Sequence, residues 1–255
     1  MNTFIENKTI IITGASQGIG HATALYLARH GANLVLISRN QGKLAALQSN
    51  IQTNGGNAIY VQGDVADYRV LQKAVNCAHK HFSQVDVLIN NAGTINPIER
   101  LAESDVTAWS KVVDTNIKGV YHGIRAVIPA MLQQGRGIII NISSGAATSA
   151  LEGWSHYCST KAAVLSLTRC VHKEYARHGV RVIGLSPGTV ATEMQTTIRE
   201  SGINPVSKLD WSAHIPANWV AKAIAFLMSD DAAELAGDDF SLKHKEGRVR
   251  AGLPV

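Results

Sequence analysis

With 255 residues, 45% of them apolar and 17% charged, the chain has enough aliphatic side chains to fill the core of one large α/β domain, which excludes disorder as its main state. Its formal charge of +5 comes from scattered Lys and Arg apart from a tail of Lys243, His244, Lys245, Arg248 and Arg250; it lacks the basic-aromatic interleaving of a groove binder, so it is read as solvated surface and no nucleic acid is expected as a partner. Cys77, Cys158 and Cys170 form no CxxC pair and fit a reducing compartment, the first residues lack a leader pattern, and no apolar run approaches the roughly 18 residues of a membrane span, so a cytoplasmic location without membrane contact is expected.

In chain order, residues 9–12 predict a strand that leads directly into Thr13-Gly14-Ala15-Ser16-Gln17-Gly18-Ile19-Gly20 and a helix over 18–30, stopping at His30-Gly31. Strand, glycine turn and helix make a phosphate cradle. Gly14 permits the tight turn, Gly18 lets backbone approach a pyrophosphate, Gly20 lets helix pack on strand, and the helix N-terminus faces the anion. The spacing departs from GxGxxG, so by itself the segment reads equally as a plain glycine-rich turn.

A second strand, 33–38, ends in Ile37-Ser38-Arg39-Asn40, where dinucleotide folds meet the adenosine ribose. Arg39 beside the Ser38 hydroxyl suits the 2′-phosphate of NADP, whereas an Asp or Glu would hold the free hydroxyl of NAD. The plain alternative is an exposed Arg opening the helix over 41–54. Strands over 58–61 and 85–90 follow, separated by a helix over 68–82. Asp64 reads as a cap for that helix, and Asn90-Asn91 read as turn formers. His79 and His81 point to different helix faces, so no metal site is expected.

A helix over 103–134 and a strand over 137–142 lead to Ser144, just past a strand end, where α/β sheets place ligand sites. The helix over 155–178 carries Tyr157-Cys158-Ser159-Thr160-Lys161. Residues four apart share a helix face, and an ammonium there favours the phenolate, bringing Tyr157 down from about 10 toward the range of catalytic proton exchange. The bland alternative is a surface pair. Trp154 and His156 could line a substrate pocket, although a His or Trp near a helix start is more often a packing residue. After the strand over 180–186, residues 188–215 break the rhythm with Pro205 and weak periodicity, the pattern of a substrate lid. No repeat or linker interrupts the alternation, so 1–255 is read as a single doubly wound α/β domain, a mostly parallel sheet flanked by helices on both faces.

Taken together, Thr13 to Gly20, Asn90-Asn91-Ala92-Gly93, Asn116, Ser144, Tyr157 with Lys161, and Pro187-Gly188 resemble the short-chain dehydrogenase/reductase family, in family order from residue 9 to about 193. The resemblance implies a Rossmann-type fold and a nicotinamide-dependent oxidoreductase that interconverts the carbonyl and alcohol forms of a small molecule. It implies that Tyr157 is the general acid and base, that Ser144 bonds the substrate oxygen, that Lys161 lowers the phenol pKa and holds the nicotinamide ribose, and that Asn116 holds a relay water. The implied cofactor contacts are Gly14, Ser16, Gln17, Gly18, Ile19 and Gly20 at the phosphates, with Ser38 and Arg39 at the ribose 2′ position. Asp64 and Val65 meet the adenine, Asn91, Ala92 and Gly93 border the adenosine ribose, and Tyr157, Lys161, Pro187, Gly188, Val190 and Thr192 lie toward the nicotinamide.

NADP is the favoured cofactor, with NAD the alternative, because Gln17 stands where many NADP-preferring relatives carry a second cation. The C-terminus also departs from the family. Asp238-Asp239-Phe240-Ser241-Leu242 and a basic tail replace the usual Val-Asp-Gly-Gly, which leaves subunit packing and pocket closure open at that end. A homo-oligomer, tetramer or dimer, is implied, with the helices 103–134 and 155–178 pairing across a two-fold. Alternatives are a 3-oxoacyl-thioester reductase of the same family and, from another class, a regulatory protein that binds the cofactor without chemistry.

Overall fold

The computed structural model describes residues 4–254. Strands β1 (Thr9–Thr13), β2 (Asn33–Ser38), β3 (Asn57–Gln62), β4 (Val87–Asn90), β5 (Gly137–Ile142), β6 (Val180–Ser186) and β7 (Asp239–Ser241) form one sheet. Its order is β3-β2-β1-β4-β5-β6-β7 and every pair is parallel. The helices are α1 (Gly18–Arg29), α2 (Gln41–Thr53), α3 (Tyr68–Phe82), α4 (Val106–Val113), α5 (Gly119–Gln134), α6 (Ser155–Tyr175), α7 (Glu193–Ser201), α8 (Ala217–Met228) and α9 (Lys245–Arg250).

Alternation along each strand builds two cores, because successive side chains leave opposite faces of a sheet. Ile10, Ile12, Leu34 and Leu36 pack with Leu27 of α1, Leu44 of α2 and Ile224 of α8. Ile11, Val35 and Ile37 pack on the other face with Leu71 of α3, Ile124 of α5 and Val164 of α6. Both faces being covered explains why the strands read as continuous apolar runs. Burying each such side chain contributes roughly 1.5–3 kcal/mol.

The chain runs outward from β1 to β3 and then returns to place β4 beside β1. Strand order therefore reverses between β1 and β4, and the crevice at their carboxyl ends is where such sheets take ligands. A buried polar chain ties this crevice to α6: the Asn90 amide donates to Asn141 Oδ1 at 2.9 Å, and the Asn141 amide donates to Thr168 Oγ1 at 2.9 Å. Asn90 is thus a ladder residue of β4 and not a turn former.

Three expectations are corrected. The helix over 103–134 is broken into α4, a π turn over Asp114–Lys118 and α5, with Asn116 in the wide turn. Residues 188–215 are not irregular, since they contain α7 and short 3₁₀ turns at Pro205–Lys208 and Trp211–Ala213. Elements β7, α8 and α9 were not foreseen. Helix α8 buries Val220, Ala221, Ala223, Ile224, Ala225, Leu227 and Met228, so its apolar surface extends too far around the helix for a clear period; β7 is only three residues long and holds an Asp. Among the described residues no helix is long and apolar enough to cross a membrane.

Candidate active site

The carboxyl ends of the strands frame a cavity of about 1140 Å³. It is lined by Gly14, Ser16, Gln17, Gly18, Ile19, Ser38, Arg39, Asp64, Val65, Asn91, Ala92, Gly93, Ser144, Tyr157, Lys161, Pro187, Gly188, Val190 and Thr192, so nearly every expected site residue is brought to one place. Gly20 and Asn116 stand behind the wall. Gly20 has backbone against it: a Cβ there would meet the Gly14 carbonyl oxygen and come within 2.6 Å of Asn91 Nδ2.

The glycine turn is held by contacts the sequence reading missed. Thr13 Oγ1 accepts from the backbone N–H of Asn91 and of Ala92, both at 3.0 Å, and the Asn91 amide donates to the carbonyls of Thr13 and Gly14 at 2.9 and 3.1 Å. Gly14 and Gly18 take φ of +65° and +55°, which side chains disfavour. Helix α1 starts with no side-chain cap and no acid in its first turn, so its N–H donors remain for an anion.

At the far side Arg39 is largely exposed, its guanidinium 3.8 Å from Asp64 Oδ2. Asp64 does not cap α3. Its Oδ1 accepts from Ala66 N–H, while Asp67 accepts from Arg69 N–H and is the true cap. Another cation also stands here: Lys43 donates to Gln17 Oε1 at 3.1 Å and lies 4.0 Å from Glu193. Its position on α2 gave no signal in the sequence.

At the reacting end, Ser144 closes β5 and its hydroxyl accepts from Ala146 N–H at 3.1 Å. Tyr157 and Lys161 lie one turn apart on α6, both buried, with Lys161 Nζ 5.6 Å from the centre of the phenol ring and donating to the Ile142 carbonyl at 2.6 Å. Burial pushes the Tyr157 phenol up to about 12, only partly opposed by the Ser144 hydrogen bond. Burial likewise pushes Lys161 down to about 8, opposed by the buried carboxylate of Asp239. In the protein alone the phenol therefore moves opposite to the lowering expected from the Lys161 spacing, because loss of water outweighs the Ser144 hydrogen bond.

Asn116 Oδ1 accepts from Thr94 N–H at 2.9 Å, and its amide donates to the Thr94 carbonyl and to Thr160 Oγ1. Trp154 lines the cavity and meets the Tyr157 ring edge-on with centroids 5.5 Å apart, whereas His156 is buried outside it with Nε2 bonded to the Ile95 carbonyl at 2.7 Å. The packing reading thus suits His156, whereas Trp154 both packs in a buried cluster and faces the cavity. Among the described residues no three His, Cys, Asp or Glu side chains gather as a metal-ligand set.

A doubly wound parallel sheet whose strand ends carry an uncapped glycine turn and a Ser, Tyr and Lys cluster defines a dinucleotide-dependent oxidoreductase. Residues 8–202 match the family described as short chain dehydrogenase, and the chain belongs to that family. It is an oxidoreductase of carbonyl and alcohol groups that uses a nicotinamide cofactor. It is 40% identical over 200 residues to an uncharacterised oxidoreductase of Listeria monocytogenes, covering 77% of this chain and 79% of that one. It is 33% identical over 236 residues to an NADPH-dependent pterin aldehyde reductase of Arabidopsis thaliana, covering 92% and 94%. Among solved structures, levodione reductase superposes with a TM-score of 0.86 at 26% identity, covering 96% of this chain and 98% of that one.

Proposed function

We propose that the chain is a single-domain, cytoplasmic, NADP(H)-preferring enzyme that interconverts a small-molecule ketone or aldehyde with its alcohol, with residues 188–215 as the substrate lid. The observation that carries this reading is that Ser144, Tyr157 and Lys161 line the same cavity as the free N-terminus of α1.

The residues fit a dinucleotide. The donors of α1 and the close backbone at Gly14 and Gly18 suit a pyrophosphate. Arg39 and Lys43 offer two cations, and Ser38 a hydroxyl, on the side where a 2′-phosphate would sit. The NADPH dependence in the name of the Arabidopsis relative is consistent with this preference. When bound, the nicotinamide supplies or accepts a hydride at the reacting carbon.

Tyr157 then gives its proton to the carbonyl oxygen in reduction and takes it back in oxidation. Ser144 donates to the same oxygen and Lys161 holds the ribose and favours the phenolate. For Asn116 the second lone pair of Oδ1 remains, since its other positions are taken. A Cβ on Gly93 would lie 3.5 Å from that oxygen and 4.0 Å from Lys161 Nζ, and the space its absence leaves suits a relay water between the two.

Assaying NADPH oxidation over a panel of ketones and aldehydes tests the reading. Tyr157→Phe is expected to abolish turnover with NADPH binding retained, and Lys161→Ala to lose both. Substantial residual turnover in Tyr157→Phe would place the proton donor elsewhere.

A further inference from the structure

We propose that the substrate carries an anionic group, a carboxylate or a phosphate, and that Lys243 and Arg248 are its anchor; this rests on the reading of the cavity as a carbonyl-reducing site. The basic tail looks in sequence like solvated surface, but the fold divides it. Arg250 pairs with Glu234, and His244 and Lys245 are exposed outside the cavity. Leu242, Lys243 and Arg248 line the cavity together with Ser144 and Tyr157.

Sheet order says which end they serve. Arg39 follows β2 and Lys243 follows β7, five strand steps away in the order β3-β2-β1-β4-β5-β6-β7. At roughly 4.8 Å per step this puts them on the order of 24 Å apart, and the pyrophosphate cradle after β1 about 19 Å from Lys243. Ser144, at the end of β5, is only two steps away. The cations therefore belong to the reacting end and not to the cofactor phosphates.

Arg248 is half-buried on α9, and its Nε donates to the Leu242 carbonyl at 2.8 Å, which holds the guanidinium in place. Among the described residues no carboxylate lies within ion-pair distance of Arg248 or Lys243, whereas Arg39, Arg169, Arg181 and Arg250 each have one. The acids on the cavity wall, Asp64 and Glu193, lie near Arg39 and Lys43. Met194, Ile198, Val206, Ile215 and Leu151 make much of the remaining wall apolar. A fixed, partly desolvated guanidinium with an exposed ammonium on the same cavity wall, and no acid within ion-pair distance of either among the described residues, is matched by a carboxylate or phosphate on the ligand.

Matched substrates test this with NADPH: 5-oxohexanoate against its methyl ester, and acetoacetyl-coenzyme A against the uncharged N-acetylcysteamine thioester. In one arm the charged member is expected to have kcat/KM higher by about tenfold or more, as a charge-assisted contact implies. The responding arm identifies the anion as carboxylate or phosphate. The ratio falls toward parity in Lys243→Gln and Arg248→Gln and persists in Lys80→Gln, which removes a charge on α3. The Lys243 side chain makes no hydrogen bond within the described fold, so that variant keeps the test valid if Arg248→Gln loosens α9.

Parity in both arms while the neutral members turn over overturns the anchor and leaves the proposed function standing. No turnover of any substrate overturns that function. Calorimetric titration of 5-oxohexanoate and of acetoacetyl-coenzyme A into Tyr157→Phe protein with NADP present then decides the anchor alone. Binding of one of them about tenfold weaker in Lys243→Gln supports it, and unchanged affinity for both overturns it.

Discussion

Burial drives both ionisable groups at the reacting end toward neutrality, Lys161 to about 8 and Tyr157 to about 12. Between about 8 and the ordinary lysine value of 10.5 the unfolded chain holds the Lys161 proton that the folded protein has released. Stability from this group is thus present above 10.5 and lost as pH falls through 8. Lys161→Met is therefore expected to gain stability relative to the parent at pH 7 and to lose that advantage by pH 10, with a pH-dependent part on the order of 2–3 kcal/mol by urea unfolding. A flat difference would mean that Lys161 keeps its ordinary pKa. Tyr157 has the opposite sign: its contribution is present below pH 10 and lost as pH rises through about 12. Arg39 is governed by charge and not burial. Titration of Arg39→Ala is expected to show NADPH binding weakened by about 1.5–3 kcal/mol with NADH binding little changed, and equal losses for both would return Arg39 to a surface role.

The strand β1, its glycine turn and α1 act as one element because Gly14, Gly20 and Asn91 are in mutual contact. Gly20→Ala pushes a methyl into the Gly14 carbonyl and the Asn91 amide. It is expected to cost roughly 1–3 kcal/mol and to weaken dinucleotide binding, read by thermal melting with and without NADPH. Gly42 on α2 is the contrasting case, with only Asn40 Oδ1 at 3.6 Å from its missing Cβ. Gly42→Ala should stabilise by about 0.5–1 kcal/mol. The two glycines are alike in sequence, and only the packing around them separates their fates.

At the scale of the whole molecule, Leu101, Val106, Tyr121 and Leu132 are exposed on or beside α4 and α5, with Val106 at 82%. All but Leu101 lie on the helical segment for which two-fold pairing is expected, and their burial between subunits would remove the cost of leaving them in water. We expect a dimer or tetramer by light scattering at micromolar concentration, and Val106→Glu with Tyr121→Glu should shift it to a smaller species. A monomer in the parent protein would refute the idea.

Six of the strands, their alternation with helices and the chemistry of Thr13 to Gly20 and Tyr157 to Lys161 were legible because each is a local pattern: a run of buried residues, a turn that needs glycine, a helical spacing of four. The broken helix around Asn116, the short edge strand β7 and the extensively buried α8 were not, since their form depends on what packs against them. The residues proposed for catalysis were recognisable by type, but their acidity was not, because desolvation is a property of the folded surroundings and reversed the direction expected for Tyr157 from its neighbour alone. The tail shows the same division. Its charge was plain in the sequence, but only the parallel pairing of β7 with β6 carries Lys243 and Arg248 into the cavity, since which cations face a ligand is decided by strand order and not by their place in the chain.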